Sequence, residues 1–307
     1  MTTATISNDV LTAMRRRRVS GESVKSMAVE LGVTWQKLDK AIRNGLPKGP
    51  TRNADRKTRP LTERFRGTVT AILQAAPGTG PLTERYRPRR LGALWGQGEV
   101  VRALRAFIAE AYSAAFLFEG ETGTGKTSAA IALAGDLGCD LTQKPPEFGG
   151  LHEIASGEQT AETVRELHNS MWRIPFYGNG WKVVIVNEAD RMSSAAETIW
   201  LDRLEQMAPR TVIVFTTNNP EKLSQRFRDR CTRLAFESDA EKLSDAAAGL
   251  VQSIWRSETG KAIPTKTVAE VVERATEDGK ISLRRVVQIL SPMILTAKGD
   301  MTHESTN

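Results

Sequence analysis

With 307 residues, 40% of them hydrophobic and 26% charged, the chain can bury a sizeable core and by length forms two or three domains. Two cysteines, Cys139 and Cys231, exclude a disulfide framework and a zinc cluster. No apolar run approaches the roughly 18 residues of a membrane helix and no apolar signal core opens the chain, so it reads as soluble and cytoplasmic, with no membrane partner. The net charge of +7 is unevenly placed: residues 1–82 hold 15 Lys/Arg against 6 Asp/Glu, the remainder 28 against 30.

The basic arm points to a polyanionic partner, nucleic acid above all, with a merely solvated tail as the alternative that composition leaves open. Val24, Met27, Ala28 and Leu31 recur at helical spacing. Gly32 breaks that pattern, and Thr34 is placed to cap a second helix that turns Trp35, Leu38, Ala41 and Ile42 inward and ends at Gly45. Residues 1–45 thus resemble a helix-turn-helix domain. On that resemblance Gln36, Lys37, Lys40 and Arg43 form the DNA-binding face, Gln36 toward base edges and the cations toward phosphates, with Arg15 to Arg18 adding backbone contacts. A small protein-docking module with a basic face is the competing reading.

Residues 46–82 carry five prolines and several glycines and read as a basic linker, with a short helical pattern over 62–76. Within it, Pro60-Leu61-Thr62-Glu63-Arg64-Phe65-Arg66 is nearly repeated as Pro81-Leu82-Thr83-Glu84-Arg85-Tyr86-Arg87, a single duplication with no function attached. From residue 83, apolar strand-like runs alternate with amphipathic helices, the pattern of an α/β domain with a parallel sheet.

Ala115 to Phe118 reads as a buried strand leading into Gly120-Glu121-Thr122-Gly123-Thr124-Gly125-Lys126-Thr127 and an alanine-rich helix. This is the P-loop pattern in its strand–loop–helix context. The loop glycines let backbone N–H groups converge on phosphate, Lys126 neutralises the outer phosphates, and Thr127 ligates Mg2+. A chance glycine turn does not account for the context. The second nucleotide motif is Val183-Val184-Ile185-Val186-Asn187-Glu188-Ala189-Asp190, a strand that delivers polar groups at its carboxyl end. Glu188 is the candidate for polarising the attacking water, its alternative being a helix cap. Asn187 stands at the metal-side position where P-loop ATPases usually carry Asp, and its neutral amide is expected to slow turnover.

Over about residues 83–297 the chain resembles the small subunits of sliding-clamp loaders (replication factor C), a family of AAA+ ATPases. The resemblance begins with Glu84-Arg85-Tyr86-Arg87-Pro88 and Leu94-Trp95-Gly96-Gln97, and implies that Tyr86, Arg87 and Pro88 line an adenine pocket. It makes Asn218, after the strand Thr211 to Phe215, the amide that senses the γ-phosphate; Asn218 and Asn219 are otherwise turn residues before Pro220. It makes Arg230, in Asp229-Arg230-Cys231, a finger that reaches a neighbouring subunit's ATP, with Asp229 expected to restrain it in a local ion pair. Residues 239–297 match the helical lid as three helices, and Arg284 in Ser282-Leu283-Arg284-Arg285 becomes a phosphate contact, or else part of a charged helix face.

The expected architecture is therefore an α/β P-loop AAA+ core (83–238) with a C-terminal helical lid (239–297) and a short tail (298–307), preceded by a small all-α domain. The resemblance implies ATP and Mg2+ as cofactors. Its partners are DNA, other AAA+ subunits in a homo-oligomeric ring or filament or as related chains, and a replication or recombination protein. Arg165, Arg191 and Arg203 are candidates for a DNA channel or plain surface charges. The family's C-terminal collar has no counterpart and its members lack the N-terminal arm, so another DNA task or another assembly mode is expected. Two alternatives stand beside the motor: a site-specific DNA-binding regulator using ATP as an assembly switch with slow hydrolysis, and a protein remodeller.

Overall fold

The computed structural model describes residues 80–304, with side chains to Lys298; the helix-turn-helix reading, the linker and the first copy of the duplicated motif lie outside the described residues. In chain order the elements are α1 (Leu82–Arg85), α2 (Gly98–Ala109), β1 (Ala114–Glu119), α3 (Lys126–Leu137), β2 (Leu151–Ile154), α4 (Ala161–Met171), β3 (Lys182–Val186), α5 (Ser194–Glu205), β4 (Thr211–Thr217), α6 (Gln225–Arg228) and β5 (Thr232–Ala235). Then follow α7 (Ala240–Thr259), α8 (Thr265–Arg274), a two-residue ribbon of β6 (Thr276–Glu277) and β7 (Lys280–Ile281), and α9 (Leu283–Glu304).

Strands β1 to β5 form one sheet in the order β2-β3-β4-β1-β5, parallel at every pairing. The central strands are apolar on both faces because helices cover both. Alternation at period two divides them: Phe116, Val183, Ile185, Val212 and Val214 enter one cluster with α3, while Leu117, Val184, Val186, Ile213 and Phe215 enter the other with Trp200 and Phe227. β2 and β5 close the edges. Their sequences, Leu-His-Glu-Ile and Thr-Arg-Leu-Ala, are short and half polar, which is why neither stands out by pattern.

The chain leaves β1 toward β2 on one side and β4 toward β5 on the other, so the carboxyl ends of β1 and β4 flank the crevice where such sheets hold ligands. Both thiols are buried, which pushes the pKa of Cys139 and of Cys231 up to about 12.

The lid has its own core, in which Leu243, Val251 and Ile254 of α7 meet Val268 and Val271 of α8 and Val286, Leu290 and Ile294 of α9. Three helices match the expectation for this region; the ribbon between the second and third does not, being too short to leave a period. α9 continues to Glu304, so the segment set apart as a tail from residue 298 begins as helix. Pro292 removes one backbone donor inside α9, yet the helix runs on because Val286, Leu290 and Ile294 are anchored on its buried face. Leu82 of α1 also packs into this cluster, tying the segment before the sheet to the lid. No helix among the described residues is long and apolar enough to cross a membrane.

Candidate nucleotide-binding site

The loop from β1 to α3 needs glycine at three places where the backbone takes positive φ: Gly120 (144°), Gly123 (84°) and Gly125 (102°). Gly125 opens α3 and faces empty space, whereas a Cβ on Gly123 would lie 2.0 Å from Ser282 Oγ. The lid therefore rests directly on the loop, and the backbone N–H of Arg284 donates to Gly123 O at 3.2 Å. Glu121 forms an ion pair with Lys280 of the lid ribbon. Thr124 is fully buried, and its carbonyl accepts from Gln97 Nε2 at 3.3 Å, while the same Gln97 side chain bonds both backbone groups of Glu237. That buried amide holds loop, α2 and the exit from β5 in one register.

Lys126 lies at the centre. Its ammonium donates to Gly120 O (2.7 Å), Glu121 O (2.8 Å) and Asn218 Oδ1 (2.8 Å), and burial lowers its pKa to about 8. Asn218 Nδ2 donates in turn to Thr122 Oγ1 at 2.9 Å. The end of β4 and the P-loop are thus one hydrogen-bonded unit around a cation that water solvates poorly. Next to it the Thr127 hydroxyl donates to Asn187 Oδ1 at 2.8 Å, and Asn187 Nδ2 donates to Glu153 Oε1 at 2.6 Å.

Glu188 follows in left-handed backbone, φ 52°, a conformation that costs a non-glycine residue on the order of 1 kcal/mol. Its N–H donates to Thr216 Oγ1 at 3.2 Å. The carboxylate accepts from Ser156 Oγ at 2.6 Å and pairs with Arg191 at 3.0 Å. It makes no side-chain cap for the turn that follows. Gln159 Nε2 bonds the Asn187 carbonyl, so the segment after β2 fixes this turn from outside.

Lys126, Thr127, Glu153, Asn187, Glu188 and Asn218 line a cavity of about 420 Å³ between the carboxyl ends of the strands and the lid. Tyr86, Arg87 and Pro88 also line it, together with Trp95, Leu250 and Arg284 of α9. Tyr86 is set by its hydroxyl, which donates to Glu258 of α7 at 2.6 Å; burial and that bond push its pKa up to about 12. The Glu258 side chain, only 2% exposed, also receives Arg85 and Lys298. Burial acts to raise its pKa, but the hydrogen bonds from Lys298, Tyr86 and Arg85 outweigh this and hold it below the usual carboxylate range.

The residue types present fit a magnesium nucleotide. The cavity offers backbone N–H groups and a buried ammonium to phosphate, a threonine hydroxyl beside amide and carboxylate oxygens to the metal, and aromatic and apolar walls to a base. Chemically, the arrangement can bind and orient a nucleoside triphosphate and bring a carboxylate to its outer phosphate.

Of the sequence-predicted site residues that the structure describes, three do not line the cavity: Gly120 and Glu121 meet Lys126 through their carbonyls, and Arg230 lies elsewhere. Its expected restraint by Asp229 is corrected: the guanidinium pairs instead with Glu205 of α5 and donates to Arg226 O at 3.1 Å. Asp229 follows α6 at its C-cap, whereas the side chain of Arg230 lies back along the helix onto α5. Among the channel candidates, Arg191 is exposed and pairs with Glu188, Arg165 is exposed on α4, and Arg203 is half-buried on α5. Sequence reasoning missed Glu153, Ser156, Gln159 and Glu258. The first three follow from the unrecognised edge strand β2, and Glu258 sits in an ordinary amphipathic helix, where only burial singles it out. Away from the cavity, Trp172, Ile174 and Phe176 are each exposed in the segment after α4.

Residues 96–240 match the family model described as DNA polymerase III, delta subunit. Among curated proteins, the chain is 30% identical over 248 residues to the replication factor C small subunit of Aeropyrum pernix, spanning 71% of this chain and 72% of that one. It is 31% identical over 159 residues to replication factor C subunit 3 of Saccharomyces cerevisiae, spanning 51% of this chain but only 45% of that protein. Among solved structures, a variant of Thermotoga maritima RuvB superposes with a TM-score of 0.53 at 18% identity, covering 66% of this chain and 63% of that one, a likeness of fold.

Proposed function

The chain belongs to the replication factor C small-subunit family of clamp-loader-like AAA+ ATPases, and from that premise we propose that it binds and hydrolyses ATP to assemble on, or remodel, DNA complexes in replication or a related process. The observation that carries the reading is the buried ammonium of Lys126, held between the P-loop carbonyls and Asn218 in a cavity that Tyr86, Arg87 and Pro88 also line. ATP lies between sheet and lid, with its phosphates on Gly120 to Thr127 and Arg284 and its base against Tyr86, Arg87 and Pro88. Thr127 and Asn187 hold Mg2+, which, when bound, draws charge off the phosphate oxygens.

Hydrolysis requires Glu188 to polarise water and Asn218 to orient the γ-phosphate. Arg230, leaving Glu205, stabilises the developing charge in a neighbouring subunit's site. The active unit is then an oligomer of this chain or of related AAA+ subunits. The 1–45 segment meets DNA through Gln36, Lys37, Lys40 and Arg43. The exposed Trp172, Ile174 and Phe176 offer apolar side chains to a replication-protein partner.

A second reading, ATP as an assembly switch with slow turnover, is favoured by one observation: the Glu188 carboxylate is taken up by Ser156 and Arg191. One experiment addresses both. ATP turnover is measured with and without duplex and single-stranded DNA for Glu188→Gln, Arg230→Ala and their mixture. Shared sites predict that each variant alone is inactive and that the mixture recovers part of the rate, because Glu188→Gln subunits lend Arg230 to sites with intact Glu188. Turnover of Arg230→Ala equal to wild type would sink the shared site, and negligible wild-type turnover with tight ATP binding would favour the switch.

A further inference from the structure

Three carboxylates line the cavity: Glu84, Glu153 and Glu188. Glu84 pairs with Arg87 and Glu188 with Arg191, whereas Glu153 has no cation partner among the described residues and bonds the amide of Asn187. That contact fixes which way the amide points. A carboxylate only accepts, so the Asn187 nitrogen must face Glu153 and its oxygen must face Thr127, with the Thr216 hydroxyl also donating toward it at 3.5 Å.

With Asp at 187 the same geometry would set two carboxylates 2.6 Å apart, which is tolerable only if one is protonated or a cation lies between them. As it stands, Asn187 and Glu153 together carry one negative charge at the strand ends beside Thr127. The usual motif places that charge on the residue before the glutamate; here it is displaced to the neighbouring strand β2, which pairs with β3 in parallel register from Leu151↔Val183 to Ile154↔Val186.

We propose that Glu153 is the carboxylate that supports Mg2+ in this chain, taking over the charge that Asn187 lacks while the Asn187 oxygen keeps the hydrogen bond to the Thr127 hydroxyl. The inference rests on the nucleotide-site reading above. Glu153 reaches Thr127 only through the Asn187 amide, so it would act on the metal's outer surroundings, supplying negative charge there and polarising Asn187. The loss of Asp at 187 is then not a loss of the metal site, and slow turnover is not expected from Asn187 alone.

The test uses the full chain and a fluorescent ADP, with affinity measured in EDTA and in saturating Mg2+. The readout is the gain in affinity that Mg2+ confers. Glu153→Gln keeps a side chain of the same shape and is expected to lower that gain about 10–100-fold, the usual cost of an outer partner of a metal ligand. Affinity in EDTA should be unchanged or tighter, since a negative charge near phosphate is gone.

The swap Glu153→Gln with Asn187→Asp reverses donor and acceptor and returns the charge to 187, so it should restore the gain. If Glu153→Gln leaves the gain at the wild-type value, or if the swap fails to restore it while EDTA affinity is intact, the assignment is overturned. Wild type that binds the nucleotide in neither condition would overturn the site reading itself, a result distinct from a wild-type gain that Glu153→Gln does not change.

Discussion

Raising the pH should discharge Lys126 before any other group in the nucleotide site that titrates as a base. All three of its N–H bonds are already used inside the protein, and burial lowers its pKa to about 8. A polyphosphate stabilises the ammonium and raises that pKa, so binding takes up a proton wherever the free lysine is neutral. The sign follows: affinity is full below about pH 8 and declines above it. With a pKa of about 8, the charged fraction falls from about nine-tenths at pH 7 to about one-tenth at pH 9, so ATP affinity should weaken about tenfold across that interval.

Isothermal titration calorimetry at pH 9 in buffers of different ionisation enthalpy reads the proton directly, and an uptake approaching one per ATP is expected. Lys126→Met should bind weakly and show neither the pH dependence nor the uptake. Constant affinity from pH 7 to pH 9 with no proton uptake would refute the reasoning, because it would mean that the lysine is as freely charged as one on the surface.

Two further perturbations probe the joint between loop and lid. Gly123→Ala puts a methyl 2.0 Å from Ser282 Oγ in a backbone of φ 84°, so the lid must lift; stability to urea should fall by about 1–3 kcal/mol, and nucleotide should stabilise the variant less than wild type. Glu258→Gln removes the carboxylate that Arg85 and Lys298 both pair with under α7, and should cost about 2–4 kcal/mol in a denaturant titration at neutral pH. The Glu258 pKa is depressed on folding, so its contribution is present at neutral pH and lost as pH falls through the carboxylate range; wild type and variant should therefore converge in acid. A difference that persists unchanged at low pH would show that the charge is not what matters.

Much of this protein is legible along the chain. The apolar runs of β1, β3 and β4 declare themselves because a strand buried on both faces must be apolar throughout. The P-loop is legible because backbone geometry needs glycine there and phosphate needs lysine. The edge strand β2 is hidden, since four residues with His and Glu among them carry no period, and with it were hidden the three side chains that hold Asn187 and Glu188. Asn187 alone reads as a weakened metal site; only the parallel pairing of β2 with β3 sets Glu153 beside it.

Similarly, Asp229 is the nearest acid to Arg230 in sequence, but the helix end at 228 turns the guanidinium toward Glu205 on α5. Local sequence determined what backbone sterics and solvent exclusion dictate residue by residue: the central strands, the phosphate loop and the lid helices. Which charges face one another was decided by the tertiary structure, because Coulomb and hydrogen-bond contacts depend on distance through space, and folding brings together residues 25 to 173 positions apart.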